Sequence, residues 1–226
     1  PMAEIIAFSI WAYGATVVLA SSTSGKIDLN EIEPSFVVNE INCPSIESLN
    51  NYSTEFMPTF RPALLNEALI YCIADKNIQL SHYNLLVNTN GIKKFLGLNR
   101  DDTFLVKLAP ESTAWAVLQL LLPLYAAASI TSVNPKIILG VEGQFDSTDY
   151  IIKMNWTKIS KENNTIFILP ENTAVLCVGD KPIHMTTIDK RNKKMKINGH
   201  SVMIGYLNDK NNEAVFRNKG MMIKRS

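Results

Sequence analysis

The sequence predicts an α+β fold with N-terminal strands, a central helical region and a β-rich, antiparallel C-terminal lobe. Three observations point there. The 226 residues are 46% hydrophobic and 19% charged, enough apolar material for a sizeable core. A long uncharged run, AWAVLQLLLPLYAAASI, occupies 114–130. Beyond residue 135, helical spacing gives way to short alternating runs divided by turn residues. The expected organisation is a mixed lobe over 1–134, mainly helical from 61 to 130 around a buried central helix, and a β-rich lobe over 135–226 with a basic end.

Residues 5–20, IIAFSIWAYGATVVLA, carry no charge. Their β-branched and aromatic side chains, among them Ile5, Ile6, Trp11, Tyr13, Val17 and Val18, favour two buried strands broken at Gly14. The alternative is a hydrophobic helix docked on a membrane or a partner. Glu4 stands where a secretory signal would carry a cation, which argues against a signal peptide. SSTSGK at 21–26 resembles the end of a phosphate loop, but Ala20 replaces its glycine and Ile27 its magnesium-binding hydroxyl, so a polar turn is expected. Residues 27–60, with Pro34, Pro44 and Pro58, suggest an irregular connection with one strand at 35–41.

In the middle, Arg61-Pro62 opens an expected helix, with Leu64, Leu65, Ala68, Leu69, Cys72 and Ile73 at helical spacing. Ser81 caps a second helix, which NTNG at 88–91 is expected to break. A short third helix over 92–96 ends at Gly97, and a strand covers 103–108. The 114–130 run follows Glu111, Ser112 and Thr113, which suit a helix start. Leu118, Leu121, Leu122 and Tyr125 share one face, and Val117, Leu120 and Leu124 cover the rest, so the helix reads as buried. Pro123 should kink it. Seventeen residues fall short of the roughly 20 that span a bilayer.

Strands are expected at 137–141, 150–156, 165–169, 174–178, 183–188, 195–197, 202–207, 214–217 and 221–224. Two Asn-x-Thr triplets, at 155–157 and 163–165, match the glycosylation acceptor by chance in an Asn-rich chain.

Catalytic motifs are absent. No G-x-S-x-G occurs, and His200 and Ser201 are sequence neighbours whose side chains diverge on a strand. His184 and His200, with Asp180 or Asp189, form at most a thin metal set, and His82 reads as a surface or capping residue. Asp101-Asp102 reads as a turn. Cys43, Cys72 and Cys177 lack any C-x-x-C spacing, which implies reduced thiols in an intracellular, reducing compartment. No cofactor is expected.

Charge is the main functional signal. Residues 181–226 hold 11 Lys+Arg against 3 Asp+Glu, net +8; residues 1–180 hold 11 against 18, net −7. Lys190, Arg191, Lys193, Lys194 and Lys196 form one cluster, and Lys219, Lys224 and Arg225 follow. Such a patch suits RNA or DNA phosphates, or less readily an anionic membrane; the bland reading is a solvated turn that protects a sheet edge. The apolar segments and the missing motifs favour a structural or interaction protein. The expected form is a self-associating subunit of a viral or phage coat- or nucleocapsid-type assembly. A sequence-independent nucleic-acid-binding module is one alternative, and an enzyme whose site shows no motif is the other.

Overall fold

The computed structural model describes residues 2–20, 32–38, 42–49, 61–73, 76–154, 159, 161–191, 194–217 and 220–224. The SSTSGK stretch, the triplet at 155–157 and the basic residues Lys193, Lys219 and Arg225 lie outside them.

The mixed α and β content that the sequence predicts is present, arranged in three sheets. The chain opens with helix α1 (Met2–Tyr13) and strand β1 (Val17–Ala20). The expected N-terminal strand pair is therefore half right. Trp11 explains the helix: it is buried, and its indole N–H donates to Ala68 O at 2.7 Å, while Ala7 packs beside it on the same face. This tertiary anchor overrides the β-leaning composition. Gly14, at φ 85, ends the helix rather than joining two strands. A short α2 (Ile46–Leu49) interrupts the connection, and residues 35–38 form no strand.

The helix expected after Arg61-Pro62 is instead strand β2 (Glu67–Ile73), which pairs with β3 (Lys76–Ser81). Ala68, Leu69, Ile70 and Tyr71 are buried in succession. A strand covered on both faces is a continuous apolar run, which helical spacing imitates. β1 joins β2 in parallel.

Helix α3 (His82–Leu96) begins where the Ser81 cap predicts. Ser81 Oγ accepts from Asn84 N, and the Asn84 side chain returns a bond to Ser81. Gly97 closes the helix in the left-handed conformation. No break occurs at NTNG, so the second and third expected helices are one. Asn88 and Thr89 are fully buried there, and Gly91 lets Ile183 approach: a Cβ on it would lie 3.1 Å from Ile183 Cδ1.

Strand β4 (Thr103–Val106) leads into the central apolar run. This is a π-helical segment (Ala116–Leu121) followed by α4 (Leu122–Ala126), ending at Ala127 with φ 53. The widened turn stands just before Pro123, whose ring cannot donate a helix bond. Ala114, Trp115, Ala116, Val117, Leu118, Leu120 and Leu122 are 2% exposed or less, whereas Leu121 is half-buried and Tyr125 is 44% exposed. The segment packs on α3, which confirms a core helix. Among the described residues no helix is long and apolar enough to cross a membrane.

The largest sheet has the order β10-β9-β8-β7-β6-β4-β5, with β5 (Ser129–Ile130), β6 (Ile137–Val141), β7 (Tyr150–Lys153), β8 (Thr165–Ile168), β9 (Val175–Val178) and β10 (Lys181–Pro182). It takes strands from both sides of residue 134. β4 to β8 run parallel, and the pairings of β9 with β8 and with β10 are antiparallel. The expectation of an antiparallel C-terminal lobe fails here. β8, the last of the parallel strands, is buried at every position, the covered condition in which parallel pairing is found. The antiparallel expectation holds for the sheet β11-β12-β15-β14, made of β11 (Thr186–Arg191), β12 (Lys194–Gly199), β14 (Phe216–Arg217) and β15 (Gly220–Lys224). Strand β13 (Gly205–Tyr206) pairs with β3, and residues 209–215, expected to be partly strand, form α5 (Asp209–Val215).

Leu118, with no exposed surface at the centre of this packing, is the position that tests it. Leu118→Ala should lower unfolding free energy by about 2–5 kcal/mol in urea titration, while Leu121→Ala should cost clearly less. Equal costs would contradict the observed burial.

Candidate functional site

In sheets containing parallel strands, ligands bind beyond the carboxyl ends of those strands. At the carboxyl end of β8, where the sheet changes from parallel to antiparallel, the chain makes a tight reversal through Pro170, Glu171, Asn172, Thr173 and Ala174. Thr173 has φ 70 and ψ −57, and Ala174 N donates to Asn172 O at 2.8 Å. Those angles and that bond define the rare, strained form of γ-turn. A β-branched residue there is a true outlier, of a kind that clusters at binding and catalytic sites.

The surroundings hold the turn in place. Asn88, from the middle of α3, donates to both Asn172 O and Val175 O and accepts from Val175 N, at 2.9–3.0 Å. Asn172 donates to Val175 O, and the Thr173 hydroxyl donates to Ser201 O at 2.6 Å. Asn84 continues the seam by donating to His200 O and Val202 O. Tyr83 Oη and His200 Nδ1 share a 2.9 Å hydrogen bond. On the other side, Tyr206 Oη donates to Glu171 Oε1 at 2.9 Å, and Lys76 Nζ lies 3.8 Å from that oxygen and over the Tyr206 ring. Asn172 Oδ1 and Ser201 Oγ are buried without a hydrogen-bond partner. Each is a place where a polar ligand group or a water would lower the energy.

Beside this seam lies a mostly apolar cleft of about 310 Å3, lined by Ile197, Asn198, Gly199, Val202, Phe216 and Met221 among others. Its size is at the lower end for a small-molecule site. Two of its walls, Gly199 and Val202, flank His200 and Ser201 in sequence.

The parallel edge has a second polar group. Gln119, inside the apolar π-helical segment, accepts from Leu108 N and donates to Glu4 Oε1. Gln144 donates to Lys107 O and accepts from Val141 N, tying the ends of β4 and β6 together.

Of the residues singled out from sequence, Asp101-Asp102 forms a turn. Asp101 is left-handed at φ 66, and the hydrogen bonds from Lys136 and from the Asn99 backbone N–H hold the Asp102 carboxyl below its ordinary range. His82 is half-buried against Trp11, and burial lowers its pKa. Burial also raises the Cys72 thiol, and pushes the Tyr71 phenol above its usual range against a smaller opposing effect of the Ala116 backbone. Cys43, Cys72 and Cys177 form no disulfide. Among the described residues no group of three or more His, Cys, Asp or Glu side chains could hold a metal.

The basic cluster distributes over β11, β12 and β15. Cα register places Arg191 opposite Lys194 and Lys194 opposite Lys224, with Asp189 opposite Lys196. Lys190 lies opposite the buried Met195. None of these cations belongs to the seam at residues 170–174. The seam residues Glu171, Asn172 and Thr173 escaped sequence reasoning because P-E-N-T between two apolar runs looks like any exposed turn, and Asn88 read only as the start of a helix break.

Neither a family model nor a curated protein sequence matches the chain. Solved structures do. Unliganded O-succinylbenzoate coenzyme A synthetase (MenE) from Bacillus subtilis aligns with 98% of this chain at TM-score 0.70 and 13% identity. A malonyl-CoA ligase with methylmalonyl-CoA and AMP bound aligns with 99% at 0.74 and 12%. Apo MatB from Rhodopseudomonas palustris aligns with 78% at 0.61 and 14%. The chain spans 63%, 65% and 48% of these proteins. The fold is thus that of CoA ligases, and it overturns the expectation of a viral or phage coat-type structural subunit. The alternative of an enzyme without a visible motif fits it better.

The seam makes two opposite demands. Asn88→Ala should destabilise by about 2–4 kcal/mol, since it strands buried groups at Asn172 and Val175. Thr173→Gly removes about 1–3 kcal/mol of strain and loses one hydrogen bond of about 1 kcal/mol, so thermal unfolding should show Tm unchanged or raised. A marked fall in Tm for Thr173→Gly would show that the turn is not strained.

Proposed function

We propose that this chain is an adenylate-forming domain of CoA-ligase type, which binds an adenine nucleotide and activates a carboxylic acid for transfer to a thiol. The observation that carries this reading is the alignment of 97–99% of the chain with ligases at TM-scores of 0.70–0.74, among them MenE in complex with AMP and a malonyl-CoA ligase holding AMP. Because the chain spans only part of those proteins, the activity of a whole ligase is proposed here for the fold they share.

The local chemistry fits a polar ligand at the strained turn. The turn at the carboxyl end of β8 holds, with the loop at 199–202, two buried polar atoms lacking partners, Asn172 Oδ1 and Ser201 Oγ. Thr173 and its bond to Ser201 O couple that turn to the loop at 199–202, which borders the apolar cleft. In this reading the turn meets the polar nucleotide, and the cleft takes the hydrocarbon part of the acid. Activation joins a carboxylate oxygen to the α-phosphorus of ATP and expels pyrophosphate. The acyl group then passes to the thiol sulfur, and AMP leaves.

Two readouts test the proposal. Saturating AMP or ATP, at 100 times Kd, should stabilise the protein by about 2.7 kcal/mol. For a chain of this size that is a Tm rise of about 5–10 °C. ATP–pyrophosphate exchange should appear with at least one acid from a panel of aliphatic, dicarboxylic and aryl acids, and Thr173→Gly should reduce it by about 10-fold, the equivalent of ~1.4 kcal/mol. No thermal shift with either nucleotide and no exchange with any acid would refute it.

A further inference from the structure

One face of the sheet β11-β12-β15-β14 forms the floor of the apolar cleft. Ile197 on β12 pairs with Met221 on β15, and Met221 pairs with Phe216 on β14. Register partners share a face, so these three side chains make one row across three adjacent strands. All three line the cleft. Ile197 and Met221 have no exposed surface, and Phe216, on the edge strand, is half-buried. Two strand spacings of about 4.7–4.9 Å make the row ~10 Å long.

Parts of the wall are bare backbone. Gly199 and Gly220 stand there, and a Cβ on Gly199 would run into Met185 O, one on Gly220 into the Asn198 carboxamide. Among the described residues lining the cleft none is charged, and Asn198 has the one polar side chain. Lys196 alternates to the opposite face of β12 from Ile197. A charged group drawn into the cleft would give up its hydration and find no opposite charge there, which is a heavy cost. An uncharged hydrocarbon meets no such cost and gains by leaving water.

We infer that the acid is a straight-chain monocarboxylic acid of medium length, whose uncharged tail lies along the Ile197-Met221-Phe216 row; this rests on the ligase reading above. An apolar cavity of about 150 Å3 holds benzene, with its six carbons. At about 310 Å3 the cleft has room for on the order of ten. The loop at 199–202 sets the place of the head group. Gly199 and Val202 wall the cleft, while Ser201 O accepts from the Thr173 hydroxyl. The carboxylate then belongs at that loop, next to the turn that this reading gives to the nucleotide. A dicarboxylic acid of the same length would have to bury its second carboxylate at the far end of the tail, among Ile197, Met221 and Phe216.

Binding measured without nucleotide reads the cleft separately from the ligase chemistry. Isothermal titration of the full chain with straight-chain acids of increasing length, each below its micelle concentration, should give a Kd that falls about 4-fold per added methylene. The fall should stop at the length that fills the cleft, on the order of ten carbons. Decanedioic acid should bind at least ~100-fold more weakly than decanoic acid. Val202→Phe should move the plateau to shorter acids, and Phe216→Ala to longer ones; if one variant does not fold, the other decides. ATP–pyrophosphate exchange with the same acids should follow the same order. The inference is overturned if Kd is independent of chain length, if decanedioic acid binds as well as decanoic acid, or if a folded variant keeps the wild-type plateau. Tight, length-dependent binding with no exchange would remove the ligase reading and leave the ligand class of the cleft standing. Exchange with dicarboxylic acids alone would keep that reading and overturn the inference.

Discussion

Three hydrogen bonds from one side chain, Asn88, hold the organisation of this protein together. Asn88 sits in the middle of α3 with no exposed surface, and it grips the backbone on both sides of the turn that follows β8. An amide buried this deeply is unfavourable unless its donors and acceptor are all matched. Here they are matched by a backbone that a helix or strand partner would otherwise satisfy. The consequence reaches in both directions. α3 is fixed against the largest sheet, and a γ-turn that would relax if free is kept strained at Thr173.

The rest of the molecule can be read outward from that grip. Ser81 and Asn84 start α3 at the point where β3 ends, and Asn84 reaches on to the loop at 200–202. Thr173 closes the circuit through Ser201 O. The apolar interior, with Trp115, Tyr71, Phe104 and Phe167 almost wholly buried, supplies the driving force. The polar seam decides which arrangement that force stabilises. In this chain β8, the last parallel strand of a fold seen in CoA ligases, ends at a strained, polar turn, and that coincidence makes the turn the candidate site.

Much of this fold was legible in the sequence, but mainly where local chemistry decides it. Ser81 and Gly97 mark the true ends of α3 because caps act through their own neighbours. The seventeen-residue apolar run is a core segment because it carries no charge and few polar groups. Errors arose where a distant partner decides. Asn88 and Gly91 looked like a helix break, yet one is consumed by Val175 and the other by the approach of Ile183. Residues 67–73 looked helical because burial on both faces erases the two-residue period. Residues 2–13 looked extended until Trp11 found Ala68 O. The site was the least legible part. A γ-turn at Thr173 is a matter of backbone angle, and the partners that hold it lie 28 and more residues away. The positive C-terminal bias was plain, but only strand order shows that Lys194 and Lys196 fall on an inner strand while Lys190 and Arg191 fall on an edge.

The account stands most directly on where an adenine nucleotide sits. A crystal structure grown with AMP should show its polar groups against residues 170–173 at the carboxyl end of β8, with Asn172 or Ser201 taking up a hydrogen bond to it. Nucleotide bound away from that turn, or none at saturating concentration, would contradict it.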